Sequence, residues 1–347
     1  GCRTSPEGRA PVDRAALRSP YDREIARLAV PALGALAAEP LYVLADTAMV
    51  GHLGTTSLAG LAVASSVLLI GFNLCIFLAY GTTSAVARLL GAGEREEAAH
   101  QAVQGLWLAL GTGLAIAVAG VVLGLPLLRL LGAEGAVLDE AWIYLRISLI
   151  GVPGMLLVFA GTGYLRGLQD TRTPLAVAVV SALANLVIQA ALIYGAGYGI
   201  GASALSTVIA QWCSAVVYLV VIVREGRIHE GPLPPHPSTL RRQITVARDL
   251  FVRTAALRGS LVLSTAVAAR RGPTELAAYQ IGYEVWNFLA LSLDAIAIAA
   301  QAMVGRLLGA GRADEARAAS RRMIEWGVVG GALFGSLLGH QAVLLVR

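Results

Sequence analysis

Ala-Arg-Leu-Leu-Gly-Ala-Gly at 87–93 returns as Gly-Arg-Leu-Leu-Gly-Ala-Gly at 305–311, 218 residues later. The same offset holds on either side without a gap. Gly-Thr-Thr-Ser-Leu-Ala at 54–59 resembles Gly-Pro-Thr-Glu-Leu-Ala at 272–277, and Glu97-Ala98 resembles Glu315-Ala316. Unrelated apolar helices share Leu and Ala by chance. A common register from 54 to 98 marks a duplicated unit instead.

Working outward from the repeat, the chain is a succession of apolar runs: roughly 25–50, 57–87, 101–124, 141–163, 174–195, 202–223, 249–269 and 275–305, with a ninth at 323–346. Each holds the ~20 mainly apolar residues that cross a bilayer core. Composition agrees: 56% of residues are hydrophobic and mean hydropathy is +0.69. Only 14% are charged, against about a quarter in soluble domains, so a solvated surface of the usual kind cannot be built. The fold class expected is an all-α integral membrane protein.

Between equivalent positions of the repeat the chain crosses the membrane six times. An even number gives two halves of the same orientation, related by an axis along the membrane normal. The complete protein is then expected to hold two pseudo-symmetric six-helix lobes and twelve spans, with this chain stopping after about nine. The expected domains are a polar N-terminal segment at 1–21, an N-lobe of spans 1–6 at 22–223, a linker at 224–248 and a partial C-lobe of spans 7–9 at 249–347. The linker is polar and carries four Pro.

Arg marks alternate loops. Arg23 and Arg27 precede the first span, and Arg88, Arg95, Arg166 and Arg172 follow the second and fourth. Arg224, Arg227, Arg241, Arg242 and Arg248 follow the sixth, and Arg306, Arg312, Arg317, Arg321 and Arg322 the eighth. The intervening loops are poor in Arg. This positive-inside pattern puts the N-terminus in the cytoplasm; the expected location is a bacterial-type cell membrane, crossed many times.

The net charge of +5 rests on 27 Arg with no Lys. Because the Arg residues sit in short loops between apolar runs, topology accounts for them and nucleic acid is not an expected partner. The five His lack metal-ligand spacing, and no GxxxxGK[ST] loop is present, so neither an enzyme nor direct ATP coupling is indicated. Cys2, Cys75 and Cys213 read as free thiols.

A charged side chain at the bilayer centre costs at least about 2.5 kcal/mol, so polar groups inside the spans are functional candidates. Asp46 lies in the first span with Glu39 two turns earlier, about 10 Å away on the same face. Pro31 and Pro40 interrupt that helix, and each removes a backbone hydrogen bond and permits a bend. The fifth span carries Ser181, Asn185 and Gln189 at four-residue spacing, and the sixth Ser203, Thr207 and Gln211. Asn73 and Tyr80 line the second. In the second half, Glu284, Asn287, Asp294 and Gln301 fall close to one face, with Asp294 a second candidate for coupling. These oxygen and amide groups suit a protonated carboxyl, a water or Na⁺. They also suit plain interhelical hydrogen bonds.

Three motifs carry a resemblance. Asp46-Thr-Ala-Met-Val-Gly-His-Leu-Gly54 resembles the first-span signature of the multidrug and toxic compound extrusion (MATE) family, in its DNA-damage-inducible F-like branch. Tyr164-Leu-Arg-Gly-Leu-Gln-Asp-Thr-Arg-Thr-Pro174 is similar to that branch's fourth-to-fifth-span loop, and Ala299-Ala-Gln-Ala-Met-Val-Gly305 with Arg306-Leu-Leu-Gly309 to its eighth-span end. The resemblance covers roughly 22–335. It implies two lobes and export of small organic substrates, organic cations among them, driven by H⁺ or Na⁺ antiport, with no other cofactor and a monomeric protein in the lipid bilayer. It also implies a cation-coupling site at Asp46, Asn185, Thr207 and Tyr144, a helix-1 bend at Pro31, and no firm metal site beyond Na⁺ at Asp46, Asn185 and Thr207. Where the family often has a second acid, this chain has Gln189, which coordinates but does not titrate; that favours protonation of Asp46 alone. Glu39, Asn73, Glu284 and Asp294 stand as secondary candidates. A lipid-linked oligosaccharide flippase of the same superfamily is the nearest alternative and favours a more charged central cavity. A channel is the alternative of a different class.

Overall fold

The computed structural model describes residues 19–225 and 234–345. Cys2, most of the polar head and the middle of the expected linker lie outside the described residues. The described residues form ten α-helices. α1 is Asp22–Gly51, α2 Thr55–Cys75, α3 Phe77–Gly91, α4 Arg95–Leu130 and α5 Gly135–Gly167. α6 is Arg172–Ala190, extended by a π-turn over Ala191–Gly195; α7 is Gly201–Glu225, α8 Pro237–Arg271, α9 Pro273–Gly309 and α10 Ala313–Leu345. α2 and α3 meet at Ile76 and together make one apolar stretch of 37 residues. By length and composition, eight helical stretches among the described residues are able to cross a membrane. The ninth apolar run lies within α10 as far as residue 345.

One boundary differs from expectation. Residues 237–248, read as linker, are the first turns of α8. Pro237 opens that helix, where its missing N–H is one that no helix would satisfy anyway.

α5 is the axis of the first half and packs against α2, α3, α4 and α7. Without a hydrophobic drive between helices in lipid, close van der Waals approach has to hold them. Small residues provide it: a Cβ on Gly163 of α5 would collide with the backbone of Ala79 on α3, and one on Gly113 of α4 with Pro153. Leu145, Leu149, Leu156 and Leu165 fill the core around this axis. Val118, Val121, Val122 and Leu130 of α4 stay exposed, as a lipid-facing surface requires.

α1 packs on α6, and both α1 and α3 pack on α9. A smaller core joins Ile25 and Leu28 of α1 to Ala299 and Met303 of α9 and Met323 of α10. Beside it, Arg322 donates to the Asp22 carboxylate at 2.6 and 2.8 Å, and the Trp326 indole donates at 3.0 Å.

The sequence repeat is repeated in the fold. The starts of α2 and α9 (Thr55, Pro273), the ends of α3 and α9 (Gly91, Gly309) and the starts of α4 and α10 (Arg95, Ala313) keep one offset. Gly54 and Gly272 share a positive φ of 124° and 139°, and Gly93 and Gly311 one of 83° and 74°. The two copies also touch reciprocally. A Cβ on Gly91 would strike the carbonyl oxygen of Arg306, and one on Gly309 would strike that of Arg88. Residue i touching j′ while i′ touches j is what a two-fold axis produces. The copies differ at one place: the α2–α3 break at Ile76 corresponds to Asp294, where α9 runs through.

Candidate functional site: a buried carboxylate between three helices

Three helices bring their polar stripes together in two layers. In the first, Asp46 of α1 is 5% exposed, and its Oδ1 accepts from Gln189 Nε2 of α6 at 2.6 Å and from Ser203 Oγ of α7 at 2.6 Å. One turn along α1, Tyr42 OH is paired with Thr207 Oγ1 at 2.8 Å. Asn185 Nδ2 donates to Tyr42 OH at 2.9 Å and to Thr207 Oγ1 at 3.2 Å. The layers are four residues apart on each helix because residues at i and i+4 lie one above the other on a helix face.

Tyr144 of α5 closes the cluster from the side. It is buried, lies within electrostatic reach of Asp46 and has Ser203, Ser65 and Ser148 as polar neighbours. Three buried oxygens here have no hydrogen-bond partner among the described residues: Asn185 Oδ1, Gln189 Oε1 and Ser148 Oγ. Buried polar groups are nearly always paired, so these are open positions in and around the cluster, with Gln189 Oε1 on the amide that touches Asp46.

The structure thus gathers Asp46, Asn185, Gln189, Thr207 and Tyr144. It adds Tyr42 and Ser203, which the sequence reading did not place in the site. The signal for both was periodicity: Tyr42 precedes Asp46 by one turn, and Ser203 heads the stripe that contains Thr207.

The other candidates lie outside the hydrogen-bonded cluster, though Tyr42, Asn185 and Thr207 line one cavity with two of them, Glu39 and Asn73. Pro31 sits in the first third of α1, which runs unbroken through both prolines. Glu39 lines a cavity of about 350 Å³ together with Tyr42, Asn73, Tyr80 and Arg166. Asn73 faces that cavity too, but its amide is engaged: Nδ2 donates to the Leu69 carbonyl at 2.8 Å, and Oδ1 accepts from Arg258 of α8 at 2.6 Å. Glu284 is exposed and accepts from Gln280 at 3.0 Å. Asp294 lies among Arg166, Arg253 and Arg258, away from the Asp46 cluster. Among the described residues, no group of three or more His, Cys, Asp or Glu is placed to hold a metal ion.

The chain matches the MatE family over residues 31–191 and 251–343. It is 32% identical over 341 residues to Protein DETOXIFICATION 44, chloroplastic, of Arabidopsis thaliana, covering 91% of this chain and 62% of that protein. It is 30% identical over 294 residues to DNA damage-inducible protein F of Escherichia coli strain K12, covering 83% of this chain and 64% of that protein. The chain therefore spans under two thirds of the length of these relatives. Among solved structures, a MATE in the bent conformation superposes with a TM-score of 0.84 at 23% identity, covering 95% of this chain and 76% of that one. An outward-facing multidrug resistance MATE family transporter of the MOP superfamily superposes with a TM-score of 0.79 at 24% identity, covering 97% and 77%. These likenesses show the fold.

Proposed function

This chain belongs to the MatE family, and we propose from that membership that it exports small organic molecules by secondary active transport, with a cation entering against them at Asp46. The observation that carries the reading is the Asp46 carboxylate, buried inside a membrane span and held by donors from two other helices. An intramembrane carboxylate with no basic partner is costly to keep charged. Burial disfavours the charged form of a carboxyl group in general, so a proton is the simplest ion for such a site to take.

Proton uptake would rearrange the cluster in a definite way. Asp46 Oδ1 now accepts two hydrogen bonds. A proton on the carboxyl makes it a donor, and Gln189 Oε1 is an open acceptor on the same amide that now donates to it. With the charge gone, the bonds to Gln189 and Ser203 become neutral ones, roughly half as strong, and α1 is held more loosely by α6 and α7. Substrate release to the outside would follow that loosening, with α1 free to bend near Pro31. In this reading the N-terminus is cytoplasmic, the protein lies in the cell membrane as a monomer, and two lobes at 22–223 and from 249 onward rock about the site.

Na⁺ is the second reading, and a specific observation favours it. Asn185 Oδ1, Gln189 Oε1 and the Asp46 carboxylate are hard oxygen ligands, two of them unpartnered among the described residues. They would hold the ion by charge and carbonyl dipoles, without a titrating group besides Asp46.

The test is efflux of a fluorescent dye from proteoliposomes under an imposed pH gradient or an imposed Na⁺ gradient, with Asp46→Asn beside the parent. A pH-driven flux lost in Asp46→Asn supports proton coupling; a Na⁺-driven flux lost in it supports the second reading. Gradient-driven export that survives Asp46→Asn would sink the assignment of Asp46.

A further inference from the structure

Arg166 has no place in the cation-coupling cluster, yet it is the most unusual charge in the molecule. It sits one residue before the end of α5, inside the apolar heart of the first six spans, and is 8% exposed. No carboxylate among the described residues lies within ion-pair distance of it, and its guanidinium donates no hydrogen bond to a described residue. The carboxylate that acts on it through space is Asp294 of α9, which is already flanked by Arg253 and Arg258. A buried guanidinium normally demands a partner, because desolvation costs it several kcal/mol otherwise. Arg166 is therefore short of negative charge.

It is also aimed at open space. Arg166 is part of the wall of the 350 Å³ cavity between α1, α2, α3, α5, α6 and α7. That volume is within the range of small-molecule pockets, whose walls are mostly apolar with a few placed polar groups. Leu36, Val158 and Phe159 supply apolar wall. Tyr80 and Tyr218, the two phenols within electrostatic reach of Arg166, line the same cavity. Tyr218 OH accepts from Thr162 at 3.0 Å, which leaves its own proton free to be donated. Glu39 lines the cavity as well, and no ion pair joins it to Arg166. The Arg166 end is thus a fork of charged donors with phenol donors beside it, which matches a planar oxyanion.

We propose that this cavity binds an amphiphilic organic anion, its carboxylate or other oxyanion on Arg166 and its apolar body along Leu36, Val158 and Phe159. This substrate class rests on the export reading above and sharpens it. It departs from the organic cation allowed at the sequence level, since a cation in this cavity would meet Arg166 as a like charge.

The test uses two dyes with the same xanthene body and opposite charge: 6-carboxyfluorescein and rhodamine 6G. Binding of each to the chain purified in detergent is read by fluorescence anisotropy, for the parent, Arg166→Gln and Arg166→Lys. The expected result is 6-carboxyfluorescein bound by the parent, weakened about ten- to a hundredfold in Arg166→Gln, as for a lost charged hydrogen bond, and partly kept in Arg166→Lys. Rhodamine 6G should bind no more weakly to Arg166→Gln than to the parent. Rhodamine 6G alone binding, equal loss of both dyes in Arg166→Gln, or no binding of 6-carboxyfluorescein would each overturn the proposal. Arg166→Lys guards against misfolding, because a lost fold takes both variants together. Gradient-driven efflux of the two dyes separates this proposal from the one beneath it: export of rhodamine 6G only leaves the export reading standing and removes the anion, whereas no gradient-driven export of either removes the export reading.

Discussion

At Gln189 the proposed choice of ion turns on a single atom. Its Nε2 donates to Asp46 at 2.6 Å, which a carboxylate in its place could not do. Glutamate there would face Asp46 as a like charge, and the pair would hold one proton or a metal cation between them. Gln189→Glu is therefore expected to make export respond to Na⁺; the check is dye efflux with Na⁺ replaced by choline, and an unchanged response would take Gln189 out of the ion path. Tyr42 has a different part. Its hydroxyl ties Asn185 to Thr207, so Tyr42→Phe removes one link at a cost of about 1 kcal/mol. Export should slow several-fold, more than the modest drop in apparent melting temperature accounts for. Asn185, Gln189 and Thr207 stood out because helix periodicity aligns them in polar stripes, and it was the family resemblance that tied Asn185 and Thr207 to Asp46. Ser203 was read only as part of its stripe and Tyr42 was passed over, one turn from Asp46; that both bond into the cluster depends on how each helix is rotated about its own axis, and no spacing within one helix encodes that.

The turn between α5 and α6 shows the same division at the level of elements. Gln169 follows α5 with φ at 62°, a left-handed conformation that usually selects Gly. Its side chain bridges Glu24 of α1, by a hydrogen bond of 3.3 Å, and Arg306 of α9, which donates to it at 2.5 Å. Gln169→Ala keeps the backbone strain and loses the bridge, whereas Gln169→Gly loses the bridge and relieves the strain. The alanine variant should accordingly melt lower than the glycine variant, by roughly 1 kcal/mol of stability; equal melting would mean that the strain is not felt. Asp170 next to it accepts from the backbone N–H groups of Arg172 and Thr173 at 2.9 and 3.0 Å and so caps α6. Asp170→Ala should cost about 1 kcal/mol, read as a lower melting temperature in detergent. The capping residue could be guessed from an Asp ahead of Thr and Pro. The bridge could not, since Glu24, Gln169 and Arg306 are far apart in sequence.

Across the whole molecule, the crossing of α3 and α9 is the contact on which both copies of the repeat converge. Gly91 and Gly309 each lie against the other copy's Arg carbonyl. Gly91→Ala and Gly309→Ala should each destabilise by about 1–3 kcal/mol, since backbone on backbone has no rotamer to yield. The double variant should lose less than the sum, because either methyl alone already pushes the helices apart. Thermal unfolding of the two single variants and the double variant checks this, and strictly additive losses would mean two independent contacts.

Membrane spanning, the number of apolar runs and the duplication in parallel orientation all follow from composition and from one repeated heptapeptide at a fixed offset. These are properties of order along the chain: a helix in lipid satisfies its own backbone, so its existence and length are local facts. Family membership was legible for a related reason, as short motifs survive intact in the sequence. The state of Arg166 was not legible. Its position after the fourth apolar run reads as one more loop charge under the positive-inside rule, yet the fold buries it against a cavity, with no carboxylate among the described residues within ion-pair distance. Burial and pairing are sums over every helix that packs nearby, and those helices come from α1 to α9. Only their assembly turns a topological Arg into a candidate anchor for substrate, and Asp46 from a polar residue in a helix into a carboxylate held from two sides.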